Sequence, residues 1–199
     1  MKVTNGVTRW FLAIAYLLMF SSASAASDHA AASKTNPMSV VFRGVEYEHR
    51  WSKSGQNEFT PQGQSDLNAW QDMITFNVHA AVTSGEKLAE IANGVLGNYQ
   101  RAGKILRTDS KPKTKDRPAE HLISAVLGSP TFLEAVFARF VLVDGVGTVV
   151  VYSHRVYGKS VGPAMSKWLQ ANGQQIENAL MAWDKIPTAA ALKTLPQSK

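Results

Sequence analysis

The chain has 199 residues, 45% apolar and 18% charged, with no cysteine, and 21 basic against 15 acidic side chains give a net charge of +6. This is globular composition, enough for one domain with a sizeable core, and it excludes a disordered chain or a disulfide-stapled miniprotein. The missing cysteines exclude thiol catalysis, iron–sulfur clusters and cysteine-ligated zinc.

Lys2 and Arg9 precede an apolar run from Trp10 to Phe20, and Ala23-Ser24-Ala25 follows it. A charged start, a short apolar stretch and an A-x-A site predict a signal peptide over residues 1–25. The run is too short for the roughly 20 residues a bilayer core requires, so no stable membrane span is expected after cleavage. Cleavage there removes two cations and no acid, leaving a net charge of +4. The expected address is periplasmic or secreted.

Residues 26–39, rich in Ala and Ser, read as a flexible linker. A single α+β domain is expected over 40–187, and 188–199, which follows Pro187 and carries Pro196, reads as a flexible tail. Val40 to Trp51 is β-branched and aromatic and predicts a strand. Ser52 to Asn68 carries Gly55, Pro61 and Gly63 and reads mostly as loop. Trp70 to Val82 predicts a second strand. Thr83 with Glu86 fits a capping box, and Leu88, Ile91, Ala92, Val95, Leu96 and Tyr99 then recur at helical spacing. Gly103 stands where a C′ glycine would end that helix.

Lys104 to Asp116 reads as a basic connector. Three further strands are expected at Arg117–Leu127, Phe132–Val143 and Thr148–Tyr157, separated by Gly128-Ser129-Pro130 and by Asp144-Gly145-Val146-Gly147. Such short separators favour an antiparallel meander. A second helix starts near Gly162-Pro163, carries Met165, Trp168, Leu169, Ile176, Leu180 and Trp183 as its stripe, and ends by Pro187. Asn172-Gly173 is a candidate break in it. The expected order is β-β-α-β-β-β-α: an α+β fold with a mostly antiparallel sheet, its helices packing on that sheet as an α-β-α sandwich.

Pairing Leu127 with Phe132 and Val143 with Thr148 sets Glu120, Arg139 and Tyr152 in one row, with His154 beside it. Leu122 and Phe137 share that face. Ile123, Ala125, Leu127, Val136, Phe140, Leu142, Val149 and Val151 form the other. Both faces are apolar, so both need cover.

The stretch Phe59 to Val82 (FTPQGQSDLNAWQDMITFNVHAAV), followed by helix, meander and C-terminal helix, resembles the photosystem II oxygen-evolving P protein/Mog1-like superfamily. The resemblance covers Val40 to Trp183. It implies an α-β-α sandwich and a mainly non-catalytic role, as assembly factor, small-GTPase partner or adaptor for secreted toxins. It assigns no functional residue.

Candidate chemistry is sparse. The histidines show no H-x-H or H-x-x-x-H spacing, and His121 and His154 fall on opposite faces of the expected sheet, so no metal site is expected. No G-x-S-x-G is present, and Ser153 and His154, adjacent on a strand, point to opposite faces. Glu46 and Glu48 share a strand face, as alternation often arranges. No cofactor motif is present.

Two groups stand out. Glu120, Arg139, Tyr152 and His154 form a polar cluster, either gripping a ligand or cross-linking strands. Lys104, Arg107, Lys111, Lys113, Lys115 and Arg117 form a basic run suited to an acidic protein or an anionic lipid. Nucleic acid is not expected, because the run lacks interleaved aromatics for base stacking. The expectation is an exported, non-enzymatic module that binds another protein, as adaptor, assembly factor or toxin neutraliser. The alternative is a carrier of a small ligand or lipid, with a pocket between sheet and helix near Trp70, Phe137, Tyr152 and His154. A hydrolase is the remaining reading.

Overall fold

A computed structural model describes residues 38–198. The expected signal peptide and nearly all of the expected linker lie outside the described residues. Eight strands and three helices follow in the order β1 (Ser39–Phe42), β2 (Val45–Lys53), β3 (Gln56–Pro61), β4 (Asp72–His79), α1 (Gly85–Ala102), β5 (Gly103–Lys111), β6 (Glu120–Gly128), β7 (Phe132–Val143), β8 (Val146–Tyr157), α2 (Val161–Ala182) and α3 (Ala189–Lys193). The strands form one sheet, ordered β1-β2-β3-β4-β8-β7-β6-β5. Every neighbouring pair in it is antiparallel. The fold is thus α+β with an antiparallel sheet.

Three hairpins turn on two residues with positive φ: Arg43-Gly44, Ser54-Gly55 and Asp144-Gly145. Positive φ at both central positions is the type I′ turn, whose twist matches that of the flanking strands. These turns revise the expected elements. Val40 to Trp51 is a hairpin rather than one strand. Part of the expected loop Ser52–Asn68 is β3, which pairs with both β2 and β4. Ser39, assigned to the linker, already lies in β1 and pairs with Glu48.

Helix α1 is capped by Ser84, whose Oγ accepts from the Lys87 amide at 3.3 Å, rather than by Thr83. Gly103 ends the helix in an extended conformation (φ −177°), not as a left-handed C′ residue. The need for glycine there is space, since a Cβ would lie 2.0 Å from the Val126 carbonyl oxygen. α1 presents Leu88 and Ala92 to a cluster containing Ile123, Ala125, Leu127, Val136, Phe140, Val149 and Val151. α2 presents Met165, Ile176 and Leu180 to a cluster containing Leu122, Phe137 and Tyr152. The residues expected on the two apolar faces thus fall into two separate clusters.

The rows differ from the expected pairing. Leu127 lies opposite Glu134, and Val143 opposite Val146. Both offsets are two residues, and a shift of two restores each side chain to its original face. Asn172-Gly173 does not break α2, which runs continuously through it.

The expected tail is also revised. Thr188 caps α3 by accepting from the Ala191 amide at 3.1 Å. Leu192 and Leu195 are buried in the cluster beneath α2. The Ser198 amide then donates to the Ser52 carbonyl at 2.7 Å.

Candidate binding surface at the sheet edge

The largest correction concerns the basic run. Residues 103–111 are not a connector but β5, the edge of the sheet, paired with β6 alone. The ladder is irregular between Ile105 and Arg107, which leaves Leu106 outside the pairing and exposed. Charged side chains and a bulge are common ways to keep an edge strand from pairing with copies of itself. Lys104, Arg107 and Lys111 lie on this strand; Lys113, Lys115 and Arg117 follow in the loop before β6, and all six are exposed.

Two of the six are committed to the fold. Arg107 reaches Glu177 (3.3 Å) and Gln174 (3.2 Å) on α2 and pairs with Asp109. Glu177, itself buried, accepts from Ser124 Oγ at 2.7 Å, so these groups pin α2 to the sheet. Lys111 donates to the Met181 carbonyl near the end of α2 and lies 3.6 Å from Glu120. The loop cations extend the basic surface beyond the strand.

The polar row divides into two sites. Arg139, 6% exposed, donates from Nε (2.9 Å) and Nη2 (2.8 Å) to Glu120 Oε2. Its Nη1 donates to the carbonyls of Leu180 (2.8 Å) and Trp183 (2.6 Å). Those carbonyls belong to the end of α2, where cations satisfy orphan acceptors and complement the helix dipole. The pair is a staple holding the helix end.

Tyr152 and His154 turn instead to Asp72 on β4, a residue the sequence reading did not single out. The register places Asp72 opposite His154. Asp72 Oδ1 accepts from the Tyr152 hydroxyl at 2.6 Å and lies 2.9 Å from His154 Nδ1. The His154 ring lies flat on Trp168 of α2, centroids 3.9 Å apart and planes within 2°. Burial disfavours the Asp72 carboxylate. Hydrogen bonds from His154 and Tyr152, then the His154 charge, outweigh it and hold the carboxyl below its usual range. Burial, then the Asp72 charge, pushes the Tyr152 hydroxyl far up.

A carboxylate that orients an imidazole is half of a nucleophile-activating arrangement. Among the described residues no Ser or Thr hydroxyl hydrogen-bonds to His154, and the adjacent Ser153 sits on the opposite face of β8. Arg155 is likewise committed internally. Its guanidinium lies between the rings of Trp70 (3.8 Å) and Phe132 (4.1 Å), and its Nε donates to buried Glu134 at 2.8 Å.

The residues expected to line a pocket, Trp70, Phe137, Tyr152 and His154, are instead packed against neighbouring side chains. Trp70, Phe137 and Tyr152 are buried, and Trp168 packs against Phe137, Tyr152 and His154. A groove of about 500 Å³ opens elsewhere, between the first half of α2 and the ends of β5, β6 and β7. Val126, Leu133, Met165 and Leu169 supply its apolar lining, and Lys104 stands on its rim. A smaller depression of about 230 Å³ lies beside Arg107 and Glu177.

No helix among the described residues is long and apolar enough to cross a membrane. No family model matches the chain, and no curated protein matches it.

Proposed function

We propose that the chain is an exported, non-enzymatic binding module that recognises an acidic segment of another protein. The observation that carries this reading is the placement of the basic run. It occupies an exposed edge strand whose main chain is paired on one side only, and the loop that follows it. Opposite charge on a partner would speed encounter and fix orientation, and free edge amides could extend the contact. The charged start and short apolar run of residues 1–25 support export. The resemblance of Phe59 to Val82 to the photosystem II oxygen-evolving P protein/Mog1-like superfamily supports an adaptor, assembly or toxin-neutralising role, and with it the α-β-α arrangement.

The test replaces Lys113, Lys115 and Arg117 together by Glu, sparing the cations that hold α2. Capture of a stoichiometric partner from the native envelope extract should fall by about tenfold or more, and capture by the parent should weaken with salt. Capture that ignores both the substitutions and the salt would remove the basic edge as the recognition surface.

A second reading, a carrier of a small ligand or lipid, is favoured by the groove beside Lys104. Its volume lies within the 300–1,000 Å³ common for ligand sites. Ligand retained by the protein through purification from its native source, read by native mass spectrometry, would support it.

A further inference from the structure

The groove beside α2 combines an apolar lining with a cation. Its lining is apolar, built from Val126, Leu133, Met165 and Leu169. Gly128 and Gly162 also line it, and a Cβ added at either would meet nothing within 4 Å. The strand end and the first turn of the helix thus leave the space open. No Asp or Glu lines the groove, whereas Lys104 does. Lys104 is exposed and makes no ion pair among the described residues.

The helix reinforces this sign. The α2 N-cap, Ser160, makes no side-chain capping bond, and the first turn of α2 carries no acidic residue. Free amides at a helix start carry partial positive charge. The groove therefore carries positive charge, from Lys104 and from the start of α2, beside an apolar lining.

We propose that the groove binds a single-chain amphiphile with an anionic head, such as a fatty acid. Its alkyl chain lies along Met165, Leu169, Val126 and Leu133, and its carboxylate meets the Lys104 ammonium. The complementarity is of charge as well as polarity: the site offers a cation without a competing carboxylate, next to apolar surface. This inference rests on the carrier reading and adds the ligand class and its orientation.

The experiment uses the purified protein with three probes of equal chain length, each below its micelle concentration: dodecanoate, dodecan-1-ol and dodecyltrimethylammonium. Methyl NMR shifts locate binding and give affinities. Dodecanoate should shift the methyls of Val126, Leu133, Met165 and Leu169 and bind about tenfold more tightly than the alcohol. Lys104→Glu should abolish that preference, and Gly128→Leu should block all alkyl binding while leaving the rest of the spectrum unchanged. Equal binding of the acid and the alcohol, unaffected by Lys104→Glu, would overturn the anionic head and leave the carrier reading standing. No groove shift with any probe would overturn both. Shielding of the same methyls by a captured protein, with no amphiphile bound, would assign the groove to the protein interface and overturn this proposal.

Discussion

Arg139, buried, and Asp72, half-buried, divide the work on the α2 side of the sheet. Arg139 gives two hydrogen bonds to Glu120 and two to the end of α2, so truncating it removes the nearer cation of a half-buried carboxylate and strands two carbonyls. Removing one partner of a buried pair typically costs about 3–5 kcal/mol. Arg139→Met should therefore lower the urea midpoint with little change in slope, and adding Glu120→Leu should recover part of the loss. A loss below about 1 kcal/mol would mean that the pair behaves as a surface one. Asp72 is read through pH. Its folded carboxyl lies below the usual carboxylate range, so the folded state binds its proton less readily than the unfolded chain. The stability it contributes is full above about pH 4 and is lost as pH falls through the lower, folded value. Asp72→Asn should flatten that part of the stability–pH curve, measured by denaturation at stepped pH. An unchanged acid limb would place the acid sensitivity in other carboxylates. The Glu120–Arg139 pairing was legible from strand parity alone. Asp72 was not, because its partners lie 80 and 82 residues away and meet it only once β4 lies beside β8.

At the scale of elements, the turns separate what sequence can signal from what it cannot. Asp144-Gly145 is a strong type I′ signature and marks its hairpin directly. Arg43-Gly44 and Ser54-Gly55 adopt the same conformation, but Arg and Ser are weak markers of positive φ, so one hairpin read as a single strand and another strand was lost in a loop. β5 was hidden for a related reason. The charges that protect an edge strand are the same ones that make it resemble a solvated connector. The glycines give a graded test. Gly44 has φ +78° and open space around a Cβ, so Gly44→Ala should cost about 1 kcal/mol, the conformational penalty alone. Gly55 has φ +87°, and its Cβ would lie 2.9 Å from the Val78 carbonyl oxygen. Gly55→Ala should cost about 2–3 kcal/mol, since β3 must shift away from β4 as well. Equal losses in chemical denaturation would show that the close approach to β4 is not a constraint.

At the scale of the whole molecule, the core on the α2 side is closed by residues that read as a tail. Two prolines and a five-residue helix give no periodic pattern, so only tertiary contact reveals α3. Leu192 and Leu195 sit in the same cluster as Phe42, Phe76 and Trp183, joining β1 and β4 to the end of α2. Leu192 is 1% exposed, and deleting such a side chain typically costs about 2–5 kcal/mol through lost transfer energy and the cavity left behind. In a chain of this size each kcal/mol moves the melting temperature by about 2–4 °C, so Leu192→Ala should lower it by at least about 4 °C. Truncation after Pro187 should lower it further, because it also uncovers Leu195 and removes the hydrogen bond from Ser198 to Ser52 of β2. A truncated chain that melts like the parent would return residues 188–199 to the status of a tail. A chain destabilised by truncation alone, with Leu192→Ala silent, would locate the closure in the contact with β2 rather than in the buried leucine.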